Sequence, residues 1–281
     1  TDIDGNVFVD FCAGIAVNST GHSHPAVLKA IHEQADRLVH YSASDFFPPI
    51  YASTCQAIAE TVPISGPLRV YLGNSGAEAV EASLKLARVA TRRPVVVSFL
   101  GGFHGRTMGA VTLTASKAKY HACLAPLVNG VYHAPYGHEA DLAWFDEVLF
   151  DKIVPADEVA AIIVEPVQGE GGFYVAPFDF LQELRALCDE HGILLIADEV
   201  QAGAGRTGKF FAMEHSGVCP DLTTLAKSIA GGIPISAVVG RADVMDSVGP
   251  GGLGGGFLPA DFEPRRRALR SRRLRARSHH V

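Results

Sequence analysis

From residue 53 onward, short apolar runs of β type alternate with stretches whose apolar residues recur at helical spacing. That alternation constrains the fold more than any other feature. A strand lying parallel to its predecessor needs a crossover, and a helix supplies one. The candidate strands are 69–73, 94–99, 160–165, 193–198 and 236–240, and the candidate helices include 76–90 and 178–191. The second helix aligns Phe180, Leu181, Leu184 and Leu187 on one stripe, and Gly192 follows as its stop signal. The expected fold class is therefore α/β, a mostly parallel sheet flanked by helices. In such sheets ligands bind outside the carboxyl ends of the strands, so the loops after the strands are where chemistry is sought. Before residue 50 the pattern differs: an apolar stretch at 7–11, a loop at 14–25 and a helix near 26–38. Residues 1–48 are expected to be the N-terminal part of a smaller, incomplete domain, and 49–255 a large ligand-binding domain.

The apolar run at 193–197 ends in Asp198-Glu199, and about thirty residues later Lys227 stands in Ala226-Lys227-Ser228, just before Gly231-Gly232. An acid at the end of a buried strand and a lysine in a glycine-rich turn are what pyridoxal phosphate chemistry requires. The lysine amine forms a Schiff base with the cofactor aldehyde, and the acid keeps the pyridine nitrogen protonated so that the ring accepts electrons. The plainer reading of the two residues alone is a strand-end aspartate and a solvated lysine.

Other motifs follow strands in the same way. Gly73-Asn74-Ser75-Gly76-Ala77-Glu78 opens a helix, where free N–H groups favour a phosphate; an ordinary N-cap is the plainer reading. In Gly101-Gly102-Phe103-His104-Gly105-Arg106, Phe103 offers a ring to stack on a planar cofactor and Arg106 a fork for a carboxylate. His104 is read as a packed loop residue without a catalytic role. Glu165 and Glu170, in Glu165-Pro166-Val167-Gln168-Gly169-Glu170, offer an acid–base pair, or else cap a helix and bind a neighbouring arginine; the second kind of role is favoured, because a lysine base is already present. Gln201 is positioned to reach a ring oxygen.

Bulk properties exclude several classes. No apolar run approaches the length of a membrane span, no signal peptide is visible, and the five cysteines have no metal-ligand spacing, so no metal is expected. Scattered, reduced cysteines fit a cytoplasmic protein. The net charge of −6 is unevenly spread: eight arginines and no acid lie at 265–281, so the rest holds 16 basic against 30 acidic residues. An acidic body makes nucleic acid an unsuitable partner.

Each motif is weak alone, but their order and spacing together resemble the class III aminotransferases, pyridoxal phosphate enzymes of fold type I. The resemblance runs from about Asp2 to Gly255 and is strongest at 165–172, 197–208 and 220–232. It implies that Lys227 holds the cofactor and shuttles the proton, that Asp198 pairs with the pyridine nitrogen, and that Gln201 meets the phenolic oxygen. It further implies that Phe103 stacks on the ring, that Ser75, Gly76 and Ala77 hold the phosphate, and that Arg106 binds a substrate carboxylate. Glu170 would pair with an arginine of a C-terminal domain. Ile15 stands where ornithine-type members carry a substrate-contacting tyrosine, so the likeness leans to the 4-aminobutyrate type. The implied reaction carries an amino group from an ω-amino acid to 2-oxoglutarate in a homodimer. An N-acetylornithine or ornithine type, a same-fold aminomutase or racemase, and a non-catalytic cofactor-binding remnant remain open.

After Gly255 the resemblance stops. The family continues with a threonine and a Gly-Asn-Pro turn, whereas this chain has Gly256-Phe257-Leu258-Pro259 and then the arginine-rich stretch. One reading of 256–281 is a basic tail for an acidic partner. The favoured one is a reading-frame shift, because alanine codons displaced by two bases read as arginine in a GC-rich gene. Either way this stretch lacks apolar periodicity and is expected to be disordered.

Overall fold

The structure, a computed structural model, describes residues 1–43, 46–137, 142–249 and 251–254. In chain order its strands are β1 (Leu68–Gly73), β2 (Val95–Phe99), β3 (Val131–Ala134), β4 (Val159–Val164), β5 (Val167–Gln168), β6 (Tyr174–Val175), β7 (Leu194–Asp198), β8 (Leu222–Leu225) and β9 (Ser236–Arg241). Ala13–Ala16 (α1) is a single left-handed turn; the α-helices are α2 (Pro25–Arg37), α3 (Pro49–Ala59), α4 (Gly76–Thr91), α5 (Met108–Leu113), α6 (Phe178–His191) and α7 (Ala242–Met245). The five strands expected from the sequence form with ends displaced by at most one residue, and α6 spans the residues expected. β3, β8 and the β5–β6 hairpin were not anticipated. The arginine-rich stretch at 256–281 lies outside the described residues.

Seven strands make one sheet in the order β1-β9-β8-β7-β4-β2-β3, in which only β9 runs against its neighbours. The fold is thus a mostly parallel α/β sheet. β4 reads Val-Ala-Ala-Ile-Ile-Val and is buried along its whole length, because helices cover both of its faces. Side chains alternate across it. Ile162 and Val164 join the core on one face with Leu181, Leu184 and Leu187 of α6, while Ala161 and Ile163 join the other with Val80, Leu86 and Ala87 of α4. Full burial of a residue such as Leu184 contributes about 2 kcal/mol.

Helix ends set the loops. Ser75 accepts from Glu78 N, and the Glu78 carboxylate returns to the amides of Asn74 and Ser75, a capping box that starts α4 at a fixed point. Gly192 closes α6 in the left-handed conformation, φ 62°, which a glycine adopts without a Cβ clash.

The two edges of the sheet differ in chemistry. At the amino-terminal edge, Asp221 accepts from Arg185 at 2.8 Å, Arg241 at 2.7 Å and Leu195 N at 2.8 Å. Arg93 Nη1 reaches the carbonyls of Val159, His191 and Gly192. At the carboxyl edge, β1, β2, β4, β7 and β8 each run into a loop that meets one cavity. The segment before α2 is barely buried. Ala13, Gly14, Ile15 and Ala16 all have positive φ, between 45° and 66°. For each of the three non-glycine residues that costs about 1–2 kcal/mol.

Candidate active site

The ten residues to which the resemblance gives a role, and Glu165 as well, line a single cavity of about 500 Å³ at the carboxyl edge of the sheet. β1 leads into Ser75, Gly76 and Ala77. β2 leads into Phe103 and Arg106, β4 into Glu170, β7 into Asp198 and Gln201, and β8 into Lys227, while Ile15 closes the cavity from the N-terminal segment.

The wall at α4 suits an anion. As first-turn residues, Gly76 and Ala77 have no carbonyl one turn earlier to receive their N–H groups, and the helix dipole adds positive potential there. Space is tight: a Cβ on Gly76 would stand 2.9 Å from Val200 Cγ1. Glycine at this position lets the loop after β7 come against the helix terminus.

Asp198 is 3% exposed and held from three directions. His104 Nδ1 stands 2.7 Å from Oδ2 and must be the donor, since an ionised carboxylate only accepts. Thr224 Oγ1 donates to Oδ1 at 3.0 Å and Val200 N at 3.1 Å. A carboxylate has about four acceptor positions, so one remains for a further N–H. His104 is 4% exposed. Burial alone would lower its pKa, but the bond to Asp198 and the nearby Glu165 carboxylate outweigh it, and the net shift is upward.

Lys227 follows β8 with φ 50°, in the left-handed region that a lysine rarely occupies. Its Nζ donates to Gln201 Oε1. Burial holds its pKa below the usual lysine value, against the pull of Asp198, Glu165 and Glu170; the Arg206 guanidinium lowers it further. A larger share of neutral amine is therefore present than on a surface lysine.

Glu165 neither caps a helix nor meets an arginine among the described residues, which corrects the expectation from sequence. Its carboxylate accepts from Phe103 N at 2.8 Å and Gly169 N at 3.3 Å, so it ties the loop after β2 to the loop after β4. Burial pushes its pKa up to about 7. Glu170 meets Lys117 Nζ at 3.2 Å and the Tyr120 hydroxyl at 3.3 Å, and Lys117 holds its pKa down; an arginine of a C-terminal domain, its expected partner, would lie outside the described residues. Arg106 lies over the Tyr120 ring, 4.6 Å from its centroid, and makes no ion pair among the described residues. Phe103 meets Tyr120 edge to face at 5.5 Å.

Sequence reasoning set His104 aside, and the structure puts it in direct contact with Asp198. Thr224, Lys117 and Tyr120 were not singled out at all. The neighbourhood of Phe103 and Arg106 was the available signal for His104; nothing local marks the other three.

The residues present fit pyridoxal phosphate. Helix-terminal amides and a hydroxyl suit its phosphate, a buried carboxylate with a free acceptor position suits a protonated ring nitrogen, and an amine with lowered pKa suits its aldehyde. Among the described residues there is no His, Cys, Asp and Glu cluster able to hold a metal ion, and no helix long and apolar enough to cross a membrane.

Comparison with known proteins agrees with this geometry. The profile of the family Aminotransferase class-III matches residues 1–261. The chain is 47% identical over 263 residues to the 5-aminovalerate aminotransferase DavT of Pseudomonas aeruginosa, with 91% of this chain and 62% of that protein covered. It is 47% identical over 262 residues to the 4-aminobutyrate aminotransferase GabT of Escherichia coli, at the same coverage. Among solved structures, an ornithine aminotransferase from Toxoplasma gondii superposes with a TM-score of 0.82 at 37% identity, over 92% of this chain and 60% of that one. The chain thus spans less than two thirds of the length of these relatives.

Proposed function

The chain belongs to the class III aminotransferases, and on that premise we propose that it carries the pyridoxal phosphate site of an enzyme that moves an amino group from an ω-amino acid to 2-oxoglutarate. When bound, pyridoxal phosphate supplies the electron-accepting ring that makes such a transfer possible. The observation that carries the reading is the meeting of Lys227, Asp198 and the N-terminus of α4 in one cavity.

Each residue has a task that follows from its surroundings. The amides of Gly76 and Ala77, with the Ser75 hydroxyl, bind the phosphate. The Asp198 carboxylate, oriented by His104, Thr224 and Val200 N, holds a proton on the ring nitrogen. Phe103 walls one face of the ring, and Gln201 meets its oxygen. Lys227 Nζ, kept partly neutral by burial, takes and returns the proton at the substrate carbon. Arg106, which makes no ion pair among the described residues, offers its guanidinium to a substrate carboxylate. Ile15 leaves room where a tyrosine would stand, which favours an unbranched ω-amino acid such as 4-aminobutyrate. Residues 1–48 would belong to a smaller domain and 49–255 to the cofactor-binding one, and the working unit would be a homodimer in the cytoplasm.

The test uses the chain with added pyridoxal phosphate, 4-aminobutyrate and 2-oxoglutarate, and measures glutamate. Glutamate formed by the unaltered chain and not by Lys227→Ala supports the reading. Cofactor binding at Lys227 without glutamate from any ω-amino donor favours the non-catalytic alternative. No binding at Lys227 refutes the site.

A further inference from the structure

The segment that delivers Ile15 to the cavity gains little from burial or from its backbone geometry. Ala13 to Ala16 turn through four consecutive left-handed residues, none of the four is buried, and Ile15 is 72% exposed. Local bonds from Asp10 and from the carbonyls of Cys12 and Ala13 close the turn, but they do not fix it to the rest of the protein, which takes ties from outside the segment.

Those ties converge on one arginine and one serine. Arg206 Nη2 donates to Ser19 Oγ at 2.7 Å and to Ala16 O at 3.3 Å, and lies 3.5 Å from Ser228 Oγ. Ser228 Oγ donates to Ala16 O at 3.0 Å and stands 2.6 Å from Ser19 Oγ. Among the described residues, every hydrogen bond joining residues 1–39 to the chain beyond residue 60 passes through Arg206 or Ser228. Ser228 directly follows Lys227, so the clamp ties the segment to the lysine loop itself. Close approach of the backbones agrees: a Cβ on Gly232 would stand 2.7 Å from Asn18 Oδ1, and one on Gly231 3.2 Å from Thr20 Oγ1.

We propose that Arg206 is a positioning residue for the amino donor. Through Ser19 and Ser228 it locks the left-handed turn across the mouth of the cavity and thereby sets where Ile15 meets the substrate. It touches none of the reacting atoms. The assignment of a donor role rests on the aminotransferase reading; the clamp does not.

Hydrogen–deuterium exchange separates the two. In the unaltered chain the amides of Ala16, Val17 and Asn18 bond to the carbonyls of Cys12 and Ala13 and should be measurably protected. In Arg206→Ala they should exchange at least fivefold faster, with β7 and β8 unchanged, and Arg206→Lys should restore part of the protection. Equal exchange in the Arg206→Ala and unaltered proteins overturns the proposal, whatever their activity. Where the chain transaminates, donor preference is read by comparing kcat/KM between 4-aminobutyrate and N-acetylornithine. Arg206→Ala should change that preference at least fivefold, mostly through KM. The change should shrink to less than twofold when Ile15→Ala is already present. An unaltered preference, or an equal effect in the Ile15→Ala background, overturns the link to the donor. Faster exchange in a chain that shows no amino transfer at all supports the clamp and counts against the aminotransferase reading alone.

Discussion

His104 Nδ1 lies 2.7 Å from Asp198 Oδ2, with 1% and 3% of the two side chains exposed. The residues are 94 positions apart in sequence, on the loop after β2 and at the end of β7. An aspartate so placed cannot swing toward solvent, and its free acceptor position stays directed at the cavity.

His104→Phe keeps the ring and removes the donor. A charge-assisted hydrogen bond is worth about 1.5–3 kcal/mol, so affinity for pyridoxal phosphate should fall about tenfold or more, measured by fluorescence titration. A drop of less than threefold means that Thr224 and Val200 N orient Asp198 without help.

Lys227 is the expected point of attachment. Borohydride added with pyridoxal phosphate should fix the pyridoxyl group on the peptide containing Lys227, read by mass spectrometry. Because burial lowers this amine's pKa, labelling near neutral pH should outpace that of surface lysines such as Lys29. The same labelled peptide map from Lys227→Ala would remove the assignment.

Gly76→Ala isolates the phosphate wall. Its Cβ pushes Val200 aside, at a cost of about 0.5–1.5 kcal/mol, while alanine in a helix returns about 0.5–1 kcal/mol. Folding stability should therefore change by less than about 1 kcal/mol, whereas pyridoxal phosphate affinity should drop severalfold. Loss of stability with unchanged affinity would show that the phosphate sits elsewhere.

Ile15→Tyr fills the space beside the donor. Changes of pocket shape of this size alter discrimination by about 1–3 kcal/mol. Preference for 4-aminobutyrate over ornithine, measured as kcat/KM for each donor, should fall about tenfold or more, while labelling at Lys227 stays intact. An unaltered preference would take Ile15 out of the donor site.

Glu165 gives the protein a pH signature. Its pKa in the fold is raised from 4.5 to about 7 by burial, so the folded state binds the proton more tightly than the unfolded one. Stability contributed by this group is complete below about pH 4.5 and is lost as pH rises to about 7, up to about 3 kcal/mol in all. Glu165→Gln should flatten the fall of Tm between pH 5 and 7. The slope is the readout, independent of what the amide costs at any single pH. An unchanged slope would place the titration on another group, of which Glu199, also raised to about 7 by burial, is the first candidate.

What could be read in the sequence divides along physical lines. β2, β4 and β7 announce themselves because burial on both faces demands largely apolar runs, broken in β2 only by Ser98, and α6 does so through its stripe and its glycine stop. β8 escapes notice because Thr223 and Thr224 interrupt its apolar character; both are buried, and Thr224 bonds to Asp198. Nine of the ten site residues were legible as ordered motifs after β1, β2, β4, β7 and β8, and Ile15 as a position before the first strand. The network behind them was not. Which donor faces Asp198, or which cation meets Glu170, depends on loops 94 and 53 residues away in the chain, and no local pattern encodes such a meeting.

The division of labour between the two edges of the sheet bears on how a chain of this kind changes over evolutionary time. The anchoring arginines and Asp221 sit at the amino-terminal edge, while the cavity-lining groups arrive at the opposite edge from the ends of five different strands and from the N-terminal segment. A substitution at the carboxyl edge can therefore alter what the cavity holds while leaving the anchoring contacts of Asp221 at the other edge in place. The fold is a keyboard on which single keys can be retuned, and new specificities are open to it in small, individually viable steps.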